Sequence, residues 1–102
     1  MPDLNRLKSL LGDDDAMLDR FIGMLRTEIP QHSAALTKQA QSGDWNSVST
    51  TAHTLKGYLK YLSEEELAEI ARQIETAAEK GPVPGHLIPA LADGLALLLH
   101  GL

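Results

Sequence analysis

The sequence predicts an all-α fold, an antiparallel four-helix bundle with an additional short N-terminal helix, formed as a single domain by residues 1–102. The first observation is periodicity, because apolar residues recur at three- and four-residue steps through four long segments. The second is composition: Leu and Ala, which favour helix, supply much of the 43% hydrophobic fraction, whereas aromatic residues make up only 4%. The third is the short connections between segments, which are typical of antiparallel neighbours in a bundle.

The N-terminal half contains the short helix and the first long one. An apolar segment over residues 4–11 predicts the short helix, and the carboxylates of residues 13–15 then cap the start of the long one. The long helix is expected to end with Gly43 at the C′ position. Pro30 lies inside this pattern, so we expect a kink or a short break there. The predicted inner face consists of Leu18, Ile22, Leu25, Ile29, His32, Leu36 and Ala40.

Three further helices are predicted after Gly43. Asp44 caps the first of them. Ser63 and Glu66 have the spacing of a capping box at the start of the next, in which the serine bonds forward and the glutamate reaches back. The Gly- and Pro-rich residues 81–85 predict the loop before the last helix. The predicted buried stripes are Val48, Ala52, Leu55, Leu59 and Leu62; Leu67, Ile70, Ala71, Ile74 and Ala78; and Leu87, Leu91, Leu95 and Leu98.

Charge and composition argue against several classes of function. The formal net charge is −5, from 14 acidic and 9 basic residues, and the densest basic cluster along the chain is Lys56 with Lys60. Such a surface repels polyanions, so we expect no nucleic-acid partner. The chain has no cysteine, which excludes disulfides and thiolate metal sites. Its four histidines lack the spacing of metal ligands, so no metal site is predicted.

The sequence also argues against a membrane protein. Its longest apolar stretch, Leu95 to Leu99, is far shorter than the roughly 20 residues that span a bilayer. The N-terminus has no apolar run behind a basic start, and so no signal peptide is predicted. We therefore expect a cytoplasmic protein without a membrane partner. It is also expected to be a monomer.

The helix around residue 53 is predicted to present a histidine to solvent. At about 100° per residue, His53, Gly57 and Lys60 lie opposite the apolar stripe, and Lys56 lies about 60° to one side. A single exposed histidine is ordinarily only a solvated polar residue. Gly57 favours a functional interpretation, because glycine within a helix costs roughly 0.5–1 kcal/mol relative to alanine. Close approach of another surface would explain that glycine.

The same segment carries a family resemblance. Residues 52–57, Ala-His-Thr-Leu-Lys-Gly, followed by Leu62 and Leu67, resemble the A-H-x-L-K-G core of histidine-containing phosphotransfer (HPt) domains. Residues 43–45 resemble the G-D-W/F turn before that helix, and Ile74-Glu75 lies where the family usually has L-E. The His-x-x-Lys-Gly pattern alone is weak. Its position within a helix, between these two further matches, makes the resemblance specific, and the similarity spans nearly the whole chain.

The resemblance implies a role for each matched residue. His53 is the expected phospho-acceptor, with a solvent-facing ring nitrogen as nucleophile. Lys56 is expected to place positive charge beside the phosphoryl oxygens. Glu75 is expected to accept a hydrogen bond from the other ring nitrogen, with a solvated surface glutamate as the alternative. Gly57 is expected to admit the backbone of a partner.

A docking surface is predicted around His53. Positions 58–61 are usually small in the family, whereas this chain has the bulky Tyr58 and Tyr61, which bear on the choice of partner. Ser63 stands where glycine is common, and the capping box gives that serine a role. A second apolar stripe on the long helix serves core packing or docking. The residues predicted to contact a partner are Gly57, Lys60, Tyr58, Tyr61, Met17, Phe21 and Met24.

By resemblance, the expected function is that of a phosphorelay intermediate between receiver-domain aspartates. The expected partners are response-regulator receiver domains or a hybrid sensor histidine kinase. The sequence has no Walker motif or other phosphate loop, so no ATP site and no cofactor of its own are expected, and Mg²⁺ is expected on the receiver. Whether the chain counts as an enzyme is left open. Two alternatives are a non-catalytic adaptor that binds receivers and the phospho-accepting domain of a larger histidine kinase.

Overall fold

The computed structural model describes residues 2–102. These residues form five helices joined by loops, and no strand occurs among them. The all-α prediction is therefore confirmed. Helices α2 and α4 each pack against both α3 and α5, and α1 packs against α2. Short loops reverse the chain between successive long helices. The helices are α1 (Leu4–Leu10), α2 (Asp15–Gln41), α3 (Trp45–Tyr61), α4 (Glu65–Lys80) and α5 (Leu87–Leu99).

The predicted caps fix the bounds of α2 and α3. The Asp14 carboxylate accepts hydrogen bonds from the second and third residues that follow it, and the Asp44 carboxylate accepts one from the Ser47 amide. These bonds satisfy amide groups that have no partner within the helix. Gly43 follows α2 with a φ of 71°, a conformation that glycine adopts without a Cβ penalty. The prediction of Gly43 at C′ is therefore confirmed.

Helix α2 runs through Pro30 without the short break that was one expectation. Ile29 is fully buried beside the proline, and Leu36 is 1% exposed two turns further on. The exposed Pro30 ring itself lies on the solvent side. Anchoring on both sides of Pro30 holds the helix together although one backbone hydrogen bond is missing there.

The predicted capping box at the start of α4 is wrong. Ser63 has a φ of 60°, and the Glu64 amide donates to the Leu59 carbonyl across it, so Ser63 is the C′ residue of α3. Glu64, one residue later, is the N-cap of α4. The Ser63 hydroxyl accepts instead from Arg6 Nη1 at 2.8 Å. The left-handed backbone at Ser63 is one that glycine would adopt without a Cβ penalty.

The core follows the predicted stripes, with small differences at their edges. In α2, Leu18, His32 and Ala40 are only partly buried. In α4, Ala68 is buried whereas Leu67 and Ile70 are only partly buried. In α5, the first buried residue is Ile88, and Leu87 is only partly buried. No helix among residues 2–102 is both long and apolar enough to cross a bilayer. The largest fully enclosed side chains are Leu7, Leu25, Ile29, Leu36, Leu55, Leu59, Leu62, Ile74, Leu91, Leu95 and Val48.

Candidate functional site

His53 projects into solvent from the middle of α3, with 67% of its side chain exposed. Its neighbour Ala52 and the next buried residue, Leu55, are fully enclosed. Burial of this stripe fixes the rotation of α3, so that His53 must face outward. The imidazole therefore stands on a rigid helix and is accessible to a partner.

Glu75 of α4 fixes the orientation of the His53 ring. Its Oε2 lies 2.7 Å from Nδ1 of His53, and its side chain is only 16% exposed. An ionised carboxylate can only accept hydrogen bonds, so Nδ1 must carry the proton. The neutral ring then keeps an unprotonated Nε2 directed away from α4. This nitrogen is the one able to act as a nucleophile.

Lys56 binds the other oxygen of the same carboxylate. Its Nζ lies 2.7 Å from Oε1 of Glu75, and its side chain is 18% exposed. Burial raises the pKa of the Glu75 carboxyl, but hydrogen bonds from Lys56 and His53 more than offset it, so the net shift is downward. In the resting protein, Lys56 and His53 therefore share one ionised carboxylate.

Gly57 lies in open space one turn after His53. A Cβ built at this position meets no atom within 4 Å, so nothing inside the protein requires a glycine here. A glycine within a helix that has no internal steric reason points to an external one. This geometry favours the predicted close approach of a partner.

Substitutions at Gly57 separate helix stability from partner binding. We expect Gly57→Ala to raise the free energy of unfolding by up to about 1 kcal/mol, because alanine is the better helix former and its Cβ has room. Gly57→Gln is expected to weaken binding of the predicted partner about tenfold or more, because its long side chain would occupy the contact. Urea denaturation and titration calorimetry measure the two effects. Wild-type affinity in Gly57→Gln would show that the glycine does not admit a partner.

Tyr58 connects α3 to α2 inside the protein. Its hydroxyl donates to Glu28 Oε2 at 2.6 Å, and its ring centroid lies 5.9 Å from that of His32. His32 Nε2 lies 3.3 Å from the same Glu28 oxygen, so this histidine is hydrogen-bonded and half-buried rather than part of the core. The hydrogen bond to Glu28, with burial, raises the pKa of Tyr58 to about 12. The Tyr58 hydroxyl is therefore engaged within the bundle, and the predicted contact of Tyr58 with a partner stays a prediction.

An apolar patch lies where α2 meets the C-terminal end of α3. It consists of Met17, Phe21, Met24 and Tyr61. The rings of Phe21 and Tyr61 meet edge to face, with centroids 5.9 Å apart. Tyr61 is 52% exposed, and Met17 and Met24 are 44% and 36% exposed. The fold thus brings the second stripe of α2 together with Tyr61 of α3.

A basic cleft begins at Lys56 and extends toward the C-terminal end of α3. Four cations from three helices line its space of about 580 Å³: Arg6, Lys56, Lys60 and Arg72. Sequence reasoning found only the pair on α3, because the contributions of α1 and α4 depend on how the helices pack. Among residues 2–102, no three His, Asp or Glu side chains are grouped closely enough to hold a metal ion.

The fold and the site together define a class of protein. It is an all-α bundle that presents one solvent-facing imidazole whose second ring nitrogen is held by a carboxylate of the neighbouring helix. The family model for the Hpt domain matches residues 16–101, and the chain belongs to that family. Hpt domains act in phosphotransfer within phosphorelay signalling, together with receiver domains and histidine kinases. Comparisons with curated proteins and with solved structures gave no significant match.

Proposed function

We propose that the chain is a phosphorelay intermediate in which Nε2 of His53 accepts a phosphoryl group from a receiver-domain aspartate and passes it to another receiver. The observation that carries the proposal is the exposed imidazole whose Nδ1 is fixed by Glu75. Such a ring needs no movement to present its lone pair. Preorganisation of this kind lowers the barrier of a transfer between two proteins.

The transfer step needs only the His53 imidazole and the aspartyl phosphate of the receiver. The Nε2 lone pair attacks the phosphorus of the aspartyl phosphate, a P–N bond forms, and the P–O bond to the aspartate breaks. The aspartate leaves as a carboxylate, and the imidazole becomes a phosphorylated imidazolium that retains its Nδ1 proton. The Glu75 carboxylate accepts a hydrogen bond from this Nδ1–H group and stabilises the positive charge of the ring. Transfer to the next receiver is the reverse of this step.

Lys56 has a second role in this scheme. In the resting protein its ammonium group binds Glu75. Because Lys56 lies one turn from His53, the same ammonium group would also offer positive charge to the phosphoryl oxygens during transfer. The receiver would bring the Mg²⁺ that neutralises the transferring group, and this chain would contribute no cofactor of its own. Gly57 would admit the partner beside the nucleophile, and the apolar patch at the end of α3 would extend the docking face.

A panel of receiver domains phosphorylated with acetyl phosphate and Mg²⁺ tests the proposal. We expect at least one of them to transfer label to the chain within seconds to minutes, on histidine. Binding of receivers without any transfer would instead identify an adaptor. Labelling that requires ATP and a separate kinase catalytic domain, with no exchange with receivers, would identify the accepting domain of a larger kinase.

Glu75 offers a test of the positioning step. We expect Glu75→Ala to slow single-turnover transfer by roughly 10- to 100-fold, the equivalent of one lost hydrogen bond to a charged group. Glu75→Gln should lie between the wild type and Glu75→Ala, because an amide oxygen still accepts the bond. Nitrogen-15 NMR of the ring should show loss of the Nδ1–H tautomer in Glu75→Ala.

A matched control lies one turn further along α4. Glu79 is exposed, so Glu79→Ala removes the same kind of charge without touching the ring. It is expected to transfer at the wild-type rate with an unchanged tautomer. Equal rates and equal NMR spectra for Glu75→Ala and the wild type would remove Glu75 from the mechanism.

A further inference from the structure

The basic cleft concentrates positive charge in an acidic protein. Its four cations are among only nine Lys and Arg residues in a chain with a net charge of −5. Two of them are paired internally: Lys56 with Glu75, and Arg72 with Glu69. What the other two do therefore decides whether the cleft has charge available to a partner.

Arg6 and Lys60 supply that available charge. Arg6 Nη1 donates to the Ser63 hydroxyl at 2.8 Å and to the Lys60 carbonyl at 3.5 Å, both uncharged acceptors, so the guanidinium is held in place without being neutralised. The Lys60 side chain is exposed, and within residues 2–102 no carboxylate forms an ion pair with it. Within that part of the chain, the cleft thus holds two cations without an ion pair, one held by hydrogen bonds and one exposed to solvent.

The cleft lies beside the nucleophile. Lys60 follows His53 by seven residues on the same face of α3, about 10 Å further along the helix axis at 1.5 Å per residue. The cleft shares Lys56 with the site, because Lys56 lines the cleft and also binds the Glu75 carboxylate that holds His53. A protein that covers His53 and extends about 10 Å along α3 therefore meets the cleft.

The chemistry of the partner matches this charge. A receiver that exchanges phosphoryl groups with His53 carries an aspartate, and the Mg²⁺ it brings is held by further carboxylates. Its reacting surface is accordingly acidic. Glu65 and Glu69 also line the cleft, and Glu69 is paired with Arg72. The charge that an acidic rim would meet therefore comes from Arg6 and Lys60.

We propose that the basic cleft is the electrostatic docking site for the acidic rim of the receiver, with Lys60 and Arg6 as the residues that attract and orient it. The inference rests on the proposed function and adds to it the part of the surface that steers association. Helix α1 lies before residues 16–101, which the family model matches. The contribution of Arg6 therefore comes from outside the matched segment.

Charge reversal at Lys60 tests the inference. The probe is the receiver domain that transfers fastest to the wild type, phosphorylated with acetyl phosphate and Mg²⁺. We expect Lys60→Glu to lower kcat/KM about tenfold at 10 mM salt and by less than about twofold at 1 M, where screening shortens the reach of charge to about 3 Å. Lys60→Arg should retain the wild-type value. Arg6→Gln, which keeps a donor for Ser63, should give a smaller loss with the same salt dependence.

Lys80→Glu is the matched control, because the exposed Lys80 ends α4 at the other end of that helix from Glu65 and Glu69. It makes the same change in net charge and should leave kcat/KM within twofold of the wild type. If Lys60→Glu and Lys80→Glu behave alike while the wild type transfers, the cleft inference is overturned and the proposed function stands. A loss in Lys60→Glu that salt does not reduce also overturns it. Failure of the wild type to accept phosphate from any receiver overturns both.

Discussion

Replacing His53 by Gln is expected to abolish phosphoryl uptake from receivers, a loss of more than about 10³-fold, while the helical circular dichroism stays at the wild-type level. An amide nitrogen has no available lone pair, so glutamine cannot replace Nε2 as the nucleophile. The fold should not respond, because two thirds of the side chain is exposed and its hydrogen bond is to Glu75 at the surface of the bundle. Uptake is measured with labelled phosphate in a single turnover.

His86→Gln is the matched control for this experiment. His86 is also exposed, and as the N-cap of α5 its side chain makes no capping hydrogen bond. The substitution is expected to leave uptake at the wild-type level. Residual uptake by His53→Gln would mean that another group carries the phosphate.

Leu95→Ala is expected to lower the free energy of unfolding by about 2–5 kcal/mol, a large part of the 5–15 kcal/mol that stabilises a typical domain. Leu95 is 1% exposed and lies in the core where α5 meets the bundle. Truncation removes buried apolar surface and leaves a cavity that the neighbouring side chains fill only partly. Urea denaturation followed by circular dichroism measures the loss.

Leu97 provides a control on the same helix. It is 76% exposed two residues further on, so Leu97→Ala makes the same chemical change with little loss of burial. Its expected cost is below about 0.5 kcal/mol. Equal losses for the two variants would show that the assigned rotation of α5 is wrong.

Much of the fold could be predicted because local signals agree with one another. Asp14 and Asp44 begin helices, and Gly43 ends one, at the positions that capping chemistry requires. The apolar stripe of α3 also predicts the exposure of His53, since burial of one face of a helix determines the opposite face. These inferences need only the sequence within a single helix.

The predicted capping box failed where two local signals compete. Ser63 and Glu66 have the spacing of a capping box, but Ser63 also directly follows the last turn of α3. The chain reverses within three residues between α3 and α4, and a left-handed residue after Leu62 makes that reversal possible. Once Ser63 takes that backbone conformation, its hydroxyl is directed to Arg6 instead.

The site shows a second limit of sequence reasoning. Helical angles give the direction of a Cβ atom but not the position of a distant ammonium, so the Lys56 ion pair with Glu75 was not predicted. The hydroxyl of Tyr58 reaches Glu28 on α2 for the same reason. The basic cleft requires the packing of α1 and α4 against α3. The pattern of residues along one helix does not predict such contacts between helices.

The central claim is that His53 carries the phosphoryl group, and phosphorus NMR with peptide mass mapping of the receiver-phosphorylated wild type tests it most directly. We expect one phosphate per chain on Nε2 of His53, labile in acid and stable in base, as for a phosphoramidate. The hydrogen bond from Nδ1 to Glu75 is the reason for expecting Nε2 rather than Nδ1. An acid-stable phosphate, a phosphate on any other residue, or receiver binding without phosphorylation would contradict the account.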